Sequence, residues 1–333
     1  MTTILGNLDM KRKYSVFLGN VGPCSDRYCA AYAAPLGIEA LFERAASIDL
    51  LGGVDLVATP GLLGDVALVK RCLASTGLKV VSVAVDHFTQ ARWGKGSFSS
   101  IDPALRRAAV DATRETMDLA VELGCSLVTI WPGQDGYDYI FQADYLRERG
   151  WFAAGVKEAC QHNPAVKVTL EYKLKEPRTH CYVNTVGTTI LLVKEVDEAN
   201  CGVVLDYGHA LLGHENPAES VALLHRYGKL LSHVHINDNY RSWDDDMIVG
   251  SVHSLEYLEF FHWLRRTGYD GWMTIDQFPY REDGRDAVAE SAAWLDALED
   301  VLDRADPSEI DRVLQLKDGV AASKLARKLL LNR

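Results

Sequence analysis

Short apolar, β-branched runs alternate along the chain with stretches whose apolar residues recur every three or four positions. The runs predict eight strands, at Tyr14–Leu18, Val54–Ala58, Lys79–Val85, Ser126–Trp131, Lys167–Tyr172, Val203–Asp206, Leu231–Ile236 and Trp272–Ile275. The helical spacing predicts a helix after each, at about Gly37–Asp49, Asp65–Ser75, Pro103–Leu123, Tyr145–Cys160, Val186–Ala199, Pro217–Tyr227, Leu255–Arg266 and Asp286–Leu302. Eight strand–helix units predict an α/β chain folded as a (β/α)8 TIM barrel over residues 1–305, with an open doubly wound sheet as the competing architecture. The pattern then restarts. Asp306-Pro307-Ser308-Glu309 is a helix-start signature, and Ile310–Leu331 reads as a C-terminal helical arm within residues 306–333. Such an arm either packs on the barrel or joins subunits of a homo-oligomer, a dimer or tetramer.

Composition narrows the function more than the fold. Apolar residues make up 48% of the 333 positions, enough for a large core. A formal charge of −11 argues against nucleic acid or an anionic membrane as partner. No apolar run approaches the roughly 20 residues of a spanning helix. Lys11-Arg12-Lys13 is basic enough to open a signal peptide, but no clean cleavage region follows, so the expected location is cytoplasmic. The seven cysteines are scattered, without a Cys-x-x-Cys pair, and read as reduced and mostly buried, with Cys29 and Cys181 in loops.

The chemistry gathers where the last four strands end. Barrel active sites are built at strand C-termini, and the residues there are Glu171, Asp206, His235 and Asp276. One such carboxylate is commonplace and usually pairs with a neighbouring donor. Three carboxylates and an imidazole in one small mouth call for a cation, and hard oxygen ligands favour Mn²⁺ or Mg²⁺ over Zn²⁺. A second set follows: His209 is three residues past Asp206, and Asp244 and Asp246 share one side of an extended segment. Alone, Asp244-x-Asp246 reads as a solvated acidic loop; beside the strand ends it offers, with Asp206 and His209, a second cation site. Lys173, two beyond Glu171, is a candidate for a substrate oxygen, and Trp131 for the C–H face of a sugar. His87 and Arg241 are further candidate substrate contacts, each with a structural alternative. His233 reads as a packed core histidine or a support for His235, and His253 as a loop residue.

Together Glu171-x-Lys173, Asp206-x-x-His209, His235, Asp244-x-Asp246 and Asp276 resemble the two-metal aldose–ketose isomerases of the xylose isomerase-like barrel superfamily. His235-Ile236-Asn237-Asp238-Asn239, Gly96-Ser97-Phe98-Ser99 and Pro132-Gly133-Gln134-Asp135 look most like the L-rhamnose isomerase branch. The resemblance implies two divalent cations, Mn²⁺ first with Mg²⁺ or Co²⁺ as substitutes. The first is held by Glu171, Asp206, His235 and Asp276, and the second by His209, Asp244 and Asp246 with Asp206. It further implies isomerisation of an unphosphorylated, neutral sugar by a 1,2-hydride shift, in which Glu171, Lys173, Asp246 and Asp276 serve the chemistry and Trp131, His87, Lys173 and Arg241 contact substrate. A single-metal ketose 3-epimerase using Glu171 and Asp276 as acid and base is the alternative. A DNA-repair endonuclease of the same superfamily wants more histidines and a basic groove, and a non-catalytic sugar-binding barrel leaves the converging ligands unexplained.

Overall fold

Eight parallel strands close into a barrel in the computed structural model, which describes residues 13–26, 29 and 32–331. The strands are β1 Tyr14–Phe17, β2 Leu51–Val57, β3 Lys79–Ala84, β4 Leu127–Ile130, β5 Lys167–Glu171, β6 Cys201–Asp206, β7 Leu231–Ile236 and β8 Met273–Ile275. Each pairs with its sequence neighbours, and β8 closes on β1 through Tyr14–Met273 to Val16–Ile275. This is the expected (β/α)8 barrel. Lys11-Arg12 lies outside the described residues. No helix of the described residues is long and apolar enough to cross a membrane.

Helix starts follow their caps. Asp102, Asn216 and Asp306 each accept a backbone N–H of the first turn, with Pro at the next position, and Asp144 does the same without a proline. The C-terminal helical arm consists of two helices, Pro307–Leu316 and Gly319–Leu331. Lys317 turns left-handed at φ 52°, and Asp318 recaps the chain by accepting Ala321 N at 2.8 Å. Ion pairs Arg266–Asp311 and Lys328–Glu309 pin the arm to the barrel and to itself.

Strand alternation divides the residues into two faces. Val16, Val54, Leu56, Val83, Val128, Ile130, Val168, Leu170, Val203, Leu205, Val234, Ile236 and Ile275 are almost wholly buried in the main apolar core. The intervening positions supply a polar layer inside the barrel. There Ser15 Oγ meets Thr274 Oγ1 at 2.7 Å, Ser82 Oγ meets Thr129 Oγ1 at 2.8 Å, and Thr129 meets Thr169 at 3.3 Å, all without exposure. Apolar packing outside and matched hydroxyls inside leave few orphan donors under the mouth.

Two additions over the mouth escape the periodicity. Gly136–Tyr137, Lys175–Glu176 and Thr179–Cys181 form a three-stranded antiparallel sheet, which buries Cys181 rather than leaving it in a loop. Two- and three-residue strands are too short to print an alternation. Tyr207–Leu212 forms a helix directly after β6. The loop motifs Gly96–Ser99 and Pro132–Asp135 meet: buried Asp135 accepts from the backbone N–H and hydroxyl groups of Ser97 and Ser99, tying the loop after β3 to the one after β4.

Candidate metal centre

Glu171 and Asp206 end β5 and β6, His235 is one residue short of the end of β7, and Asp276 follows β8. One potential ligand atom from each of the four lies within 4.8 Å of all the others. His235 Nδ1 is 3.3 Å from Glu171 Oε2 and 3.7 Å from Asp276 Oδ2. Asp206 also caps the helix behind it, accepting His209 N at 2.7 Å, and that turn brings the His209 ring back over the site. His209 Nδ1 stands 3.3 Å from Glu171 Oε1 and its Nε2 3.2 Å from Asp244 Oδ2. Gly208 is required there, because a Cβ would lie 1.8 Å from Asn237 Oδ1.

The charges explain what such a cluster needs. Burial pushes the Asp206 carboxyl up, with Glu171 and Asp244 adding to the push. Burial, then Glu171 and Asp206, carries Asp276 to about 7 against the pull of His235. For Glu171 burial is outweighed by His235, His209 and Lys173, which hold the carboxylate low. Burial alone would keep His235 neutral, but Glu171, Asp55 and Asp276 drive its pKa well up. His209 is likewise raised to about 9 by Asp206 and Asp244 despite burial. Metal-free, the cluster therefore keeps its charge tolerable only by taking up protons. His209 Nδ1 and both ring nitrogens of His235 are buried without a hydrogen-bond partner. Orphaned imidazole nitrogens facing three carboxylates fit a divalent cation with one nitrogen and three oxygen ligands.

The second expected set is only partly assembled. His209 and Asp244 face each other, and Asp246 lines the same cavity. Among the described residues, Asp206, His209, Asp244 and Asp246 do not gather their ligand atoms within 4.8 Å as the first set does. Asp244 instead pairs with Lys173 Nζ at 2.7 Å, and Lys173 also contacts Glu176. Burial works against the Lys173 ammonium, but Asp244, Glu176 and Asp246 overcome it and raise its pKa well above the usual value. Burial, then Asp244, pushes Asp246 well up.

These groups open into a cavity of about 690 Å³ at the C-terminal end of the barrel. Its lining includes Glu171, Lys173, His209, Asp244, Asp246 and Asp276 on one side and Phe17, Val57, Ala84, Phe88 and Trp131 on the other. Lys173 Nζ sits 5.3 Å from the Trp131 ring centroid, and Phe88 meets that ring edge-on at 5.1 Å. Gly133 makes room for the indole, since a Cβ there would lie 2.4 Å from it.

Two expected substrate contacts fall elsewhere. His87 is buried behind the cavity wall, donates Nε2–H to Ala109 O at 3.1 Å and packs against Trp93 and Phe98. Burial holds its pKa at about 4, so it is a neutral core imidazole. Arg241 turns away from the cavity, donating Nε to His253 Nε2 at 3.2 Å and reaching Glu215 O at 3.4 Å. His253 is in turn fixed by Asp238, so Arg241 braces the loop that carries Asp244 and Asp246. His233 is packed in the core as expected, with Nε2 2.9 Å from Asp55 Oδ2. Asp55 itself was not singled out by the sequence, where it reads as one polar residue in the apolar run Val54–Val57.

The chain belongs to the xylose isomerase-like TIM barrel family, whose model matches residues 36–298. It is 30% identical over 227 residues to the xylose isomerase of Thermus thermophilus, an alignment covering 66% of this chain and 58% of that one. The xylose isomerase of Paraburkholderia phytofirmans is 28% identical over 211 residues, with 61% and 47% covered. The chain thus spans about half the length of the curated relatives it matches. The 3-keto-D-glucoside 4-epimerase YcjR of E. coli superposes with a TM-score of 0.66 at 18% identity, over 86% of this chain and all of that one. D-psicose 3-epimerase of Clostridium cellulolyticum gives 0.65 at 17%, over 87% and 99%. At such identities the structural likeness establishes the shared barrel.

Proposed function

We propose that the protein is a divalent-metal-dependent isomerase that interconverts the aldose and ketose forms of an unphosphorylated, neutral sugar. The observation that carries this reading is that Lys173, His209, Asp244 and Asp246 share one cavity with Glu171 and Asp276, two members of the clustered Glu171–Asp206–His235–Asp276 set. The relatives' names, xylose isomerase and two sugar epimerases, support the substrate class. A divalent ion held by the four ligands, Mn²⁺ first, supplies a Lewis acid for the sugar carbonyl.

The chain's own groups do the rest. Lys173, fully charged and held by Asp244, donates to the oxygen on which negative charge develops as hydrogen passes between C2 and C1. Asp246, whose pKa is raised by burial and Asp244, is suited to hold and return the hydroxyl proton that moves between O1 and O2. Phe17, Phe88 and Trp131 exclude water and cover the sugar's C–H face. His209, Asp244 and Asp246, with Asp206, are the residues for a second ion.

One observation favours a second reading, a ketose 3-epimerase: of the two expected cation sets, the first alone is drawn to within 4.8 Å among the described residues, and it includes both Glu171 and Asp276, an acid–base pair for C3. A neutral aldose carrying deuterium at C2 separates the two. Incubated with Mn²⁺, the isomerase gives a ketose that keeps the label on C1. Loss of label to water sinks the hydride shift, and label exchange confined to C3 of a ketose substrate replaces the isomerase with the epimerase.

A further inference from the structure

Two carboxylates of the ligand set are steadied by donors: Asp206 accepts Asn237 Nδ2 at 3.1 Å as well as His209 N, and Asp276 accepts Asn20 Nδ2 at 3.2 Å. The imidazole of His235 needs the opposite, an acceptor on the ring nitrogen that faces away from the ion. That side of the ring points into the barrel, where Asp55 Oδ2 lies 3.6 Å from Nε2. We propose that Asp55 is a positioning residue for the metal centre, holding the His235 proton on Nε2 so that the Nδ1 lone pair faces the cation. The proposal rests on the metal centre described above.

The geometry supports this at several points. Asp55 is wholly buried on β2, and its carboxylate reaches beyond the neighbouring strands β1 and β3. Its partners are on β7 and β8: Thr274 Oγ1 donates to Oδ1 at 2.9 Å, and His233 Nε2 meets Oδ2 at 2.9 Å. The carboxylate thus crosses the interior to the strands that carry the ligands, and Ser15 braces Thr274 at 2.7 Å. The His235 ring is gripped edge-on by Phe17 at 5.1 Å and by His233 at 4.9 Å, so it cannot swing to find another acceptor. A closure of a few tenths of an ångström turns the 3.6 Å contact into a hydrogen bond.

The test is Mn²⁺ affinity of the full chain, measured by electron paramagnetic resonance without any sugar. Asp55→Asn is expected to weaken Mn²⁺ binding about 10–100-fold. In the Mg²⁺-loaded protein, ¹⁵N-labelled histidine spectra are expected to show His235 protonated at Nε2, and Asp55→Asn to lose that single-tautomer signature. If Asp55→Asn does not fold, Asp55→Glu, which keeps the charge and misplaces the oxygens, is put through the same titration. Unchanged affinity in the folded variant overturns the proposal and leaves the metal centre standing. A wild-type chain that binds no Mn²⁺ removes both.

Discussion

The two halves of the barrel mouth follow opposite rules. At the C-terminal ends of β1 to β4 the cavity is lined by Phe17, Val57, Ala84 and Trp131; across from them stand Glu171 and Asp276, with Asp206 and His235 behind. The first half is mainly an apolar wall, to which the loop after β1 adds Asn20, Ser25 and Asp26. The second crowds carboxylates together, a repulsion that bound protons or a cation would relieve. On the proposed function, binding and chemistry divide by side: the apolar wall would hold substrate and keep water away, while the polar half would hold the ion and move protons and hydrogen.

Removing one carboxylate breaks the polar half most completely. Asp276→Asn is expected to lower turnover at least ~10³-fold and to weaken Mn²⁺ binding, read by steady-state assay and by metal titration. It should also stabilise the chelated protein. Asp276 titrates at about 7 in the fold against an ordinary 3.8, so between those values the metal-free fold keeps a proton that the unfolded chain has released. Stability then falls as pH rises across that window, by a few kcal/mol at about 1.36 kcal/mol per pKa unit. In EDTA, thermal melts of wild type should drop from pH 4 to 7 more steeply than those of Asp276→Asn. Parallel curves would show that the cluster is not under the repulsion described.

Trp131→Ala attacks the other half and should leave the ion alone. Losing the indole removes the wall above the C–H face and the ring beside Lys173, so KM for the sugar should rise about tenfold, equivalent to about 1.4 kcal/mol. Turnover should fall less than threefold and Mn²⁺ affinity should hold. A large loss of turnover with unchanged KM would move Trp131 from the binding side of the comparison to the chemical side.

The barrel and the four residues proposed as principal ligands were legible because both come from strict rules. Alternation within each strand and the placement of function at strand C-termini pick out Glu171, Asp206, His235 and Asp276 without any side-chain geometry. The rules stop where strands stop. His87 is three residues past the end of β3, where alternation no longer predicts direction, and it folds back into the core. Arg241 sits in a loop at φ 62°, and the turn sends its side chain outward. Asp55 failed to signal for a different reason. Its partners are 178 and 219 residues away, so its meaning exists only once the barrel is closed.

Arg241 gives the sharpest small test of where the polar half ends. Sequence position places it among ligands, six residues after His235, yet its guanidinium is spent on His253, Glu215 O and, at 3.9 Å, Glu256. If the polar half is confined to the barrel interior, Arg241→Ala should leave KM and turnover within about twofold. Its cost to stability should be under about 1 kcal/mol, as expected for a partly exposed ion pair. A tenfold rise in KM would mean that the guanidinium swings into the cavity when sugar binds, and that the charged half extends into the loop as well.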